Sequence, residues 1–154
     1  MTLRPAIEIF LRDPNMAIHT LQRLLGWELS VPTRALPADP SDTEVQLRGR
    51  TWRADLAFEL RLLDGKATWL ALVTPSARDE FERSYVWPCL AAALALRRAG
   101  PAALLAIVPT PEDLTWARQT LTCEFGARTF TPLAVTADQV YALRERMNVL
   151  RAAG

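Results

Sequence analysis

The side chains in this sequence that could do chemistry are few and scattered. Cys89 and Cys123 stand far apart, neither with a His or Asp beside it, and His19 is the only histidine. A thiolate nucleophile needs a base within hydrogen-bond reach, and structural zinc needs closely spaced thiolate or imidazole ligands. Neither pattern is present, so both thiols read as reduced and buried. Trp52, Trp69, Trp87 and Trp116 could stack on bases while Arg50, Arg53, Arg78 and Arg83 contact phosphates. Core packing is the simpler reading for most of the tryptophans: Trp69 lies in an apolar run and Trp87-Pro88 forms a helix start. The arginines are interspersed with acids, as on a solvated mixed surface. No Gly-rich phosphate loop, Gly-x-Ser-x-Gly elbow or dinucleotide fingerprint occurs, which removes the commonest kinase, hydrolase and dehydrogenase readings.

The elements that must position these residues come from a chain of 154 residues, 50% hydrophobic and 23% charged, the size and composition of one domain spanning 1–154. Its 18 Lys+Arg against 17 Asp+Glu leave a net charge of +1, which excludes avid, sequence-blind coating of nucleic acid. No apolar run approaches the roughly 18 residues of a membrane span, and acids interrupt the N-terminus where a signal peptide would be apolar. A cytoplasmic protein that does not engage membrane is expected.

Residues 1–26 predict two short helices, Pro5 to Leu11 and Asp13 to Leu25, with Asp13 as N-cap, Pro14 in the first helical position and Gly26 as the stop. The Pro-rich stretch 31–50 predicts a loop or a weak outer strand. An α/β core follows over 51–135. Arg53 to Leu63 alternates, Asp64-Gly65 turns, and Ala67 to Val73 returns as an apolar strand, together a hairpin at the heart of the sheet. Tyr85 to Ala99 predicts a helix closed by Arg97, Arg98 and Gly100, Ala102 to Val108 a third strand, Thr110-Pro111-Glu112-Asp113 a helix start, and Arg128 to Val135 a fourth strand. Thr136 to Gln139 is a capping box for a last helix over 136–151. The class is α/β, a central mixed β-sheet flanked by helices. In the last helix Val140, Leu143, Met147 and Leu150 form a seam. Packing on the domain is favoured; exposed, the seam would join two copies as a homodimer.

Trp52-Arg53-Ala54-Asp55-Leu56, the Gly-containing hairpin, Tyr85-Val86-Trp87-Pro88, the strand Ala103-Leu104-Leu105-Ala106-Ile107-Val108-Pro109 and Trp116-Ala117-Arg118 form an ordered set. As a set they resemble a large family of uncharacterised actinobacterial and myxobacterial proteins related to the PD-(D/E)XK nuclease superfamily. The similarity runs from near Glu8 to Phe130-Thr131-Pro132-Leu133 and implies a restriction-endonuclease-like fold. In that superfamily an Asp opens the second strand of the hairpin core, and an acid followed two residues later by Lys or Gln lies on the adjacent strand. Together they hold Mg²⁺ or Mn²⁺ for phosphodiester hydrolysis.

The resemblance sets Asp55 in the first position, as catalytic residue and metal ligand. At the second, the chain reads Val73-Thr74-Pro75-Ser76 in place of Glu-X-Gln, and neutral hydroxyls do not replace a carboxylate's charge. Lys66 lies at the far end of that strand, about 25 Å away, and Glu59 about 13 Å along from Asp55, too far to share one cation. Asp79, Glu80 and Glu82 follow closely, and Glu80 is the acid a loop would fold back to rebuild the site. Glu8 matches an auxiliary acid of some superfamily members. The expected function is a catalytically degenerate nuclease-fold protein, a pseudo-nuclease acting as a binding or assembly module without a cofactor. One alternative is a Mg²⁺- or Mn²⁺-dependent DNA nuclease using Asp55 and Glu80, with Arg53, Arg78 and Arg83 on the nucleic acid. Another is a scaffold that binds a protein partner and touches no nucleic acid.

Overall fold

A computed structural model of the chain describes residues 3–29, 33–62, 65–122 and 129–153. Its centre is two neighbouring strands without a polar face, β5 (Ala67–Val73) and β6 (Ala102–Val108), paired in parallel. Strands apolar on both sides must be covered on both sides, and the helices are divided accordingly. The sheet has five strands in the order β1-β4-β5-β6-β9. Here β1 is Arg34–Ala38, β4 is Leu56–Arg61 and β9 is Leu133–Thr136, with β1-β4-β5 antiparallel and β5-β6-β9 parallel. The architecture is thus α/β with a mixed central sheet flanked by helices.

The strand period of two sorts the core. Phe58, Leu60, Leu70, Leu72, Leu105, Ile107 and Val135 point to one face, where α1 (Arg4–Arg12), α2 (Met16–His19) and α5 (Ala137–Ala153) pack through residues such as Phe10, Met16 and Leu143. Trp69, Ala71, Val73, Leu104, Ala106 and Val108 point to the other, against α3 (Trp87–Arg98) and α4 (Pro111–Ala117). The short strands β2 (Val45–Leu47) and β3 (Arg50–Trp52) pair with each other, as do β7 (Leu121–Thr122) and β8 (Thr129–Phe130).

Caps place the helices. Gln139 N–H donates to Thr136 Oγ1 at 3.1 Å while Gln139 Oε1 accepts from Thr136 N–H at 2.9 Å, the reciprocal box expected at the start of α5. At α4, Asp113 Oδ2 accepts from the Thr110 N–H at 3.2 Å and from its hydroxyl at 2.8 Å. Arg118, just past α4, donates twice to the Ala134 carbonyl of β9, at 3.2 and 2.8 Å.

Several local expectations change. Asp13 does not cap the second helix: its N–H closes α1 on the Ile9 carbonyl, and its carboxylate pairs with Arg151. One turn of α-helix from Met16 widens into a π-turn over Thr20–Leu24, which ends before Gly26 at φ +71°. The stretch 31–50 does hold an outer strand, β1, whose Pro37 suits an edge. It also holds the β2–β3 hairpin, turned by Arg48 and Gly49 at φ +52° and +70°, the paired left-handed conformation of a two-residue hairpin turn. Strand β4 starts at Leu56 rather than Arg53; Leu63 and Asp64 of the expected hairpin lie outside the described residues, as do Cys123 and Arg128.

The helix expected from Tyr85 is preceded by a π-turn over Glu82–Val86 and ends on Ala99 at φ +52°, not on Gly100. Gly100 is needed for space, because a Cβ there would lie 3.1 Å from Trp69 Nε1. The expected fourth strand is split at Thr131-Pro132: β8 pairs with β7 and only β9 joins the main sheet. Among the described residues no helix is long and apolar enough to cross a membrane.

The seam on α5 faces inward. Val140 and Leu143 are fully buried and Met147 nearly so, all in the chain's own core, while Leu150 is 54% exposed. Val140, Leu143 and Met147 are therefore taken up by the chain's own core, while Leu150 is left at the surface. Leu143→Ala is expected to cost about 3 kcal/mol in urea unfolding without changing the mass measured by light scattering.

Candidate functional site

Leu56 pairs with Leu72, so Asp55 lies level with the end of β5, where the parallel strands present their carboxyl ends. Open α/β sheets place ligands at that edge. The Asp55 N–H donates to the Leu72 carbonyl at 2.9 Å. Its Oδ2 accepts from the Thr74 N–H at 2.8 Å and from the Thr74 hydroxyl at 2.9 Å. Beside it opens a cleft of about 480 Å³ lined by Glu44, Thr51 and Arg53 among others. Of the two carboxylates lining this cleft, Asp55 is already engaged by two donors, and the Arg53 guanidinium stands beside it and Glu44, which disfavours a catalytic Mg²⁺ that takes anionic oxygens. Among the described residues no three His, Cys, Asp or Glu side chains are grouped to hold a metal ion.

Glu80 makes no hydrogen bond to Asp55 or to Thr74. Its carboxylate accepts from the Arg83 guanidinium at 3.4 and 3.2 Å, from the Ser84 hydroxyl at 3.3 Å and from the Trp116 indole N–H. The Arg83 bonds, then the indole bond, hold its pKa below the ordinary Glu value. The bonds of Glu80, proposed from sequence as the displaced acid, run to its own turn and to α4 and none runs to Asp55. Arg83 is 4% exposed and also bonded to the Gln119 carbonyl at 3.1 Å. Arg78 donates to Asp113 at 2.6 Å and so braces the cap of α4; this bond is the first cause of the lowered Asp113 pKa. Arg53 does stand exposed beside Asp55.

The other sequence candidates disperse. Trp69, Trp87 and Trp116 are core residues, the last two meeting edge to face at 5.6 Å, so they offer no surface to bases. Glu8 pairs with Arg4 at 3.1 Å and Glu59 with Arg61 at 3.0 Å. His19 is half-buried, and burial lowers its pKa against the opposing pull of Asp13.

A surface strip joins two of the sequence candidates, Arg50 and Trp52, to Arg48, Phe81 and Tyr85, which the sequence did not single out. The β2–β3 hairpin lays Arg48 over the Phe81 ring at 3.9 Å and Arg50 over the Trp52 ring at 4.0 Å. Trp52 and Phe81 centroids are 6.1 Å apart, Phe81 and Tyr85 5.5 Å, and Tyr85 is 56% exposed. The available signal was Phe81 and Tyr85, spaced to share a helix face; Arg48-Gly49 concealed the turn that brings the arginines over them. Glu82 sits between this strip and Asp55. Burial raises its pKa, the Trp87 indole N–H opposes that at 3.4 Å, and repulsion from Asp79 and Asp55 adds to it.

A raised folded-state pKa means that the folded chain keeps a proton the unfolded chain releases. The stability this contributes is complete below the ordinary Glu value of 4.5 and is lost as pH rises through the raised value. Glu82→Gln should remove that loss, so its stability relative to the parent chain is expected to grow as pH rises above 4.5, measured by denaturant unfolding at a series of pH values. An unchanged difference across the series would show that Glu82 does not titrate in this way. Compared with known proteins, the chain matches no family model, no curated protein and no solved structure.

Proposed function

We propose that this chain is a catalytically degenerate nuclease-fold protein, a pseudo-nuclease that works by binding a partner protein. The observation that carries the reading is Asp55, whose Oδ2 is engaged by both donors of Thr74, the residue just after β5 where the resemblance to the PD-(D/E)XK superfamily calls for an acid. Hydrolysis of a phosphodiester through a divalent cation needs negative oxygen at that position, and a hydroxyl supplies none. The strip of Arg48, Arg50, Trp52, Phe81 and Tyr85 beside it supports binding as the remaining role. Trp, Tyr and Arg dominate the energetics of protein interfaces, and the adjoining Asp79 and Glu82 disfavour a polyanion there.

The test is incubation with supercoiled plasmid in Mg²⁺ or Mn²⁺, with Asp55→Ala as control. No metal-dependent nicking is expected from either protein, and no salt-sensitive gel shift on duplex or single strands. Nicking that Asp55→Ala abolishes would overturn the reading in favour of a nuclease. A photo-crosslinking residue at position 85 is expected to join the chain to a discrete protein, and Arg50→Glu to lower the yield.

A further inference from the structure

On the helical face formed by α1 and α5, a groove of about 200 Å³ is lined by Arg12, Arg144, Asn148 and the paired Asp13 and Arg151 over a floor of Ile9, Met16 and Met147. It adjoins an open cleft of about 490 Å³ that shares Ile9, Arg12 and Arg144. Its charges do not balance. The two acids at the groove are already engaged, Glu8 by Arg4 at 3.1 Å and Asp13 by Arg151 at 2.5 Å. Arg12 and Arg144 make no ion pair among the described residues. Arg12 ends α1, where a cation offsets the carbonyl end of the helix. Arg144 lies within α5 away from either end, where no such role exists. Two guanidinium groups from different helices thus line one cavity without an anion to neutralise them.

We propose that this groove binds a phosphate monoester, independently of the role proposed for the Asp55 edge. The planar fork of a guanidinium matches a pair of phosphoryl oxygens, and two forks match a dianion better than the single charge of a carboxylate. Asn148 adds amide donors. Pro5 and the edge of Ile9 in the adjoining cleft offer the organic part of the ester an apolar contact, which inorganic phosphate cannot use.

Calorimetric titration of the full chain with phenyl phosphate, inorganic phosphate and benzoate separates the contributions. Phenyl phosphate is expected to bind saturably, one molecule per chain, and about tenfold or more tighter than either of the others. Arg144→Gln should weaken it by about tenfold or more with the urea midpoint unchanged, and Arg12→Gln should weaken it as much with the chain still folded in the absence of urea, while Arg146→Gln, on α5 outside the groove, leaves it intact. No saturation at millimolar phenyl phosphate, benzoate binding as tightly, or an equal loss with Arg146→Gln would each overturn the assignment.

Discussion

Two adjacent strands with no face to show to water govern this molecule. Strands β5 and β6 are apolar on both sides, and their parallel pairing requires a crossover, which α3 supplies. The helices on the far face follow from the same constraint: α1, α2 and α5 have their apolar stripes where Leu70, Leu72, Leu105 and Ile107 need cover. The antiparallel pairing of β4 with β5 places the end of β5 beside the residue preceding β4, so the meeting of Asp55 and Thr74 is a product of sheet register rather than of loop conformation.

At that edge the electrostatics differ from those of a hydrolytic centre. Carboxylates that could have converged are drawn elsewhere: Glu80 to Arg83 and Trp116, Asp113 to Arg78 and Thr110. Each arrangement braces the packing of α4 and the turn before α3. Glu82 stays near Asp55, half-buried and reluctant to ionise, and Glu44 lines the same cleft. Acids that serve as structural acceptors are not free to exchange their donors for a cation, which connects the proposed loss of chemistry to the way the second helical layer is anchored.

Much of the frame was legible because its signals are local. The apolar runs of β5 and β6 have the expected ends, and the Thr136/Gln139 box starts α5 where it should. Tertiary effects concealed the rest. Arg48 takes a left-handed conformation usually advertised by Asn or Gly, so the β2–β3 hairpin gave no sign of itself. Asp13 looked like a cap but was claimed by Arg151 from the far end of the chain. For the site, the resemblance pointed to Asp55 and the altered Thr74 position but not to which neighbouring acid points toward it. That is decided by Arg83, whose burial pins Glu80 to α4.

The two outer strands of the sheet are treated unlike one another, yet to the same end. Strand β1 carries Pro37, which has no N–H to offer, and β9 has its Ala134 carbonyl already taken by Arg118. A stray extended segment would find neither flank a clean template, so fibrous growth by backbone zipping is opposed at both margins. Along these two margins, association is left to side chains.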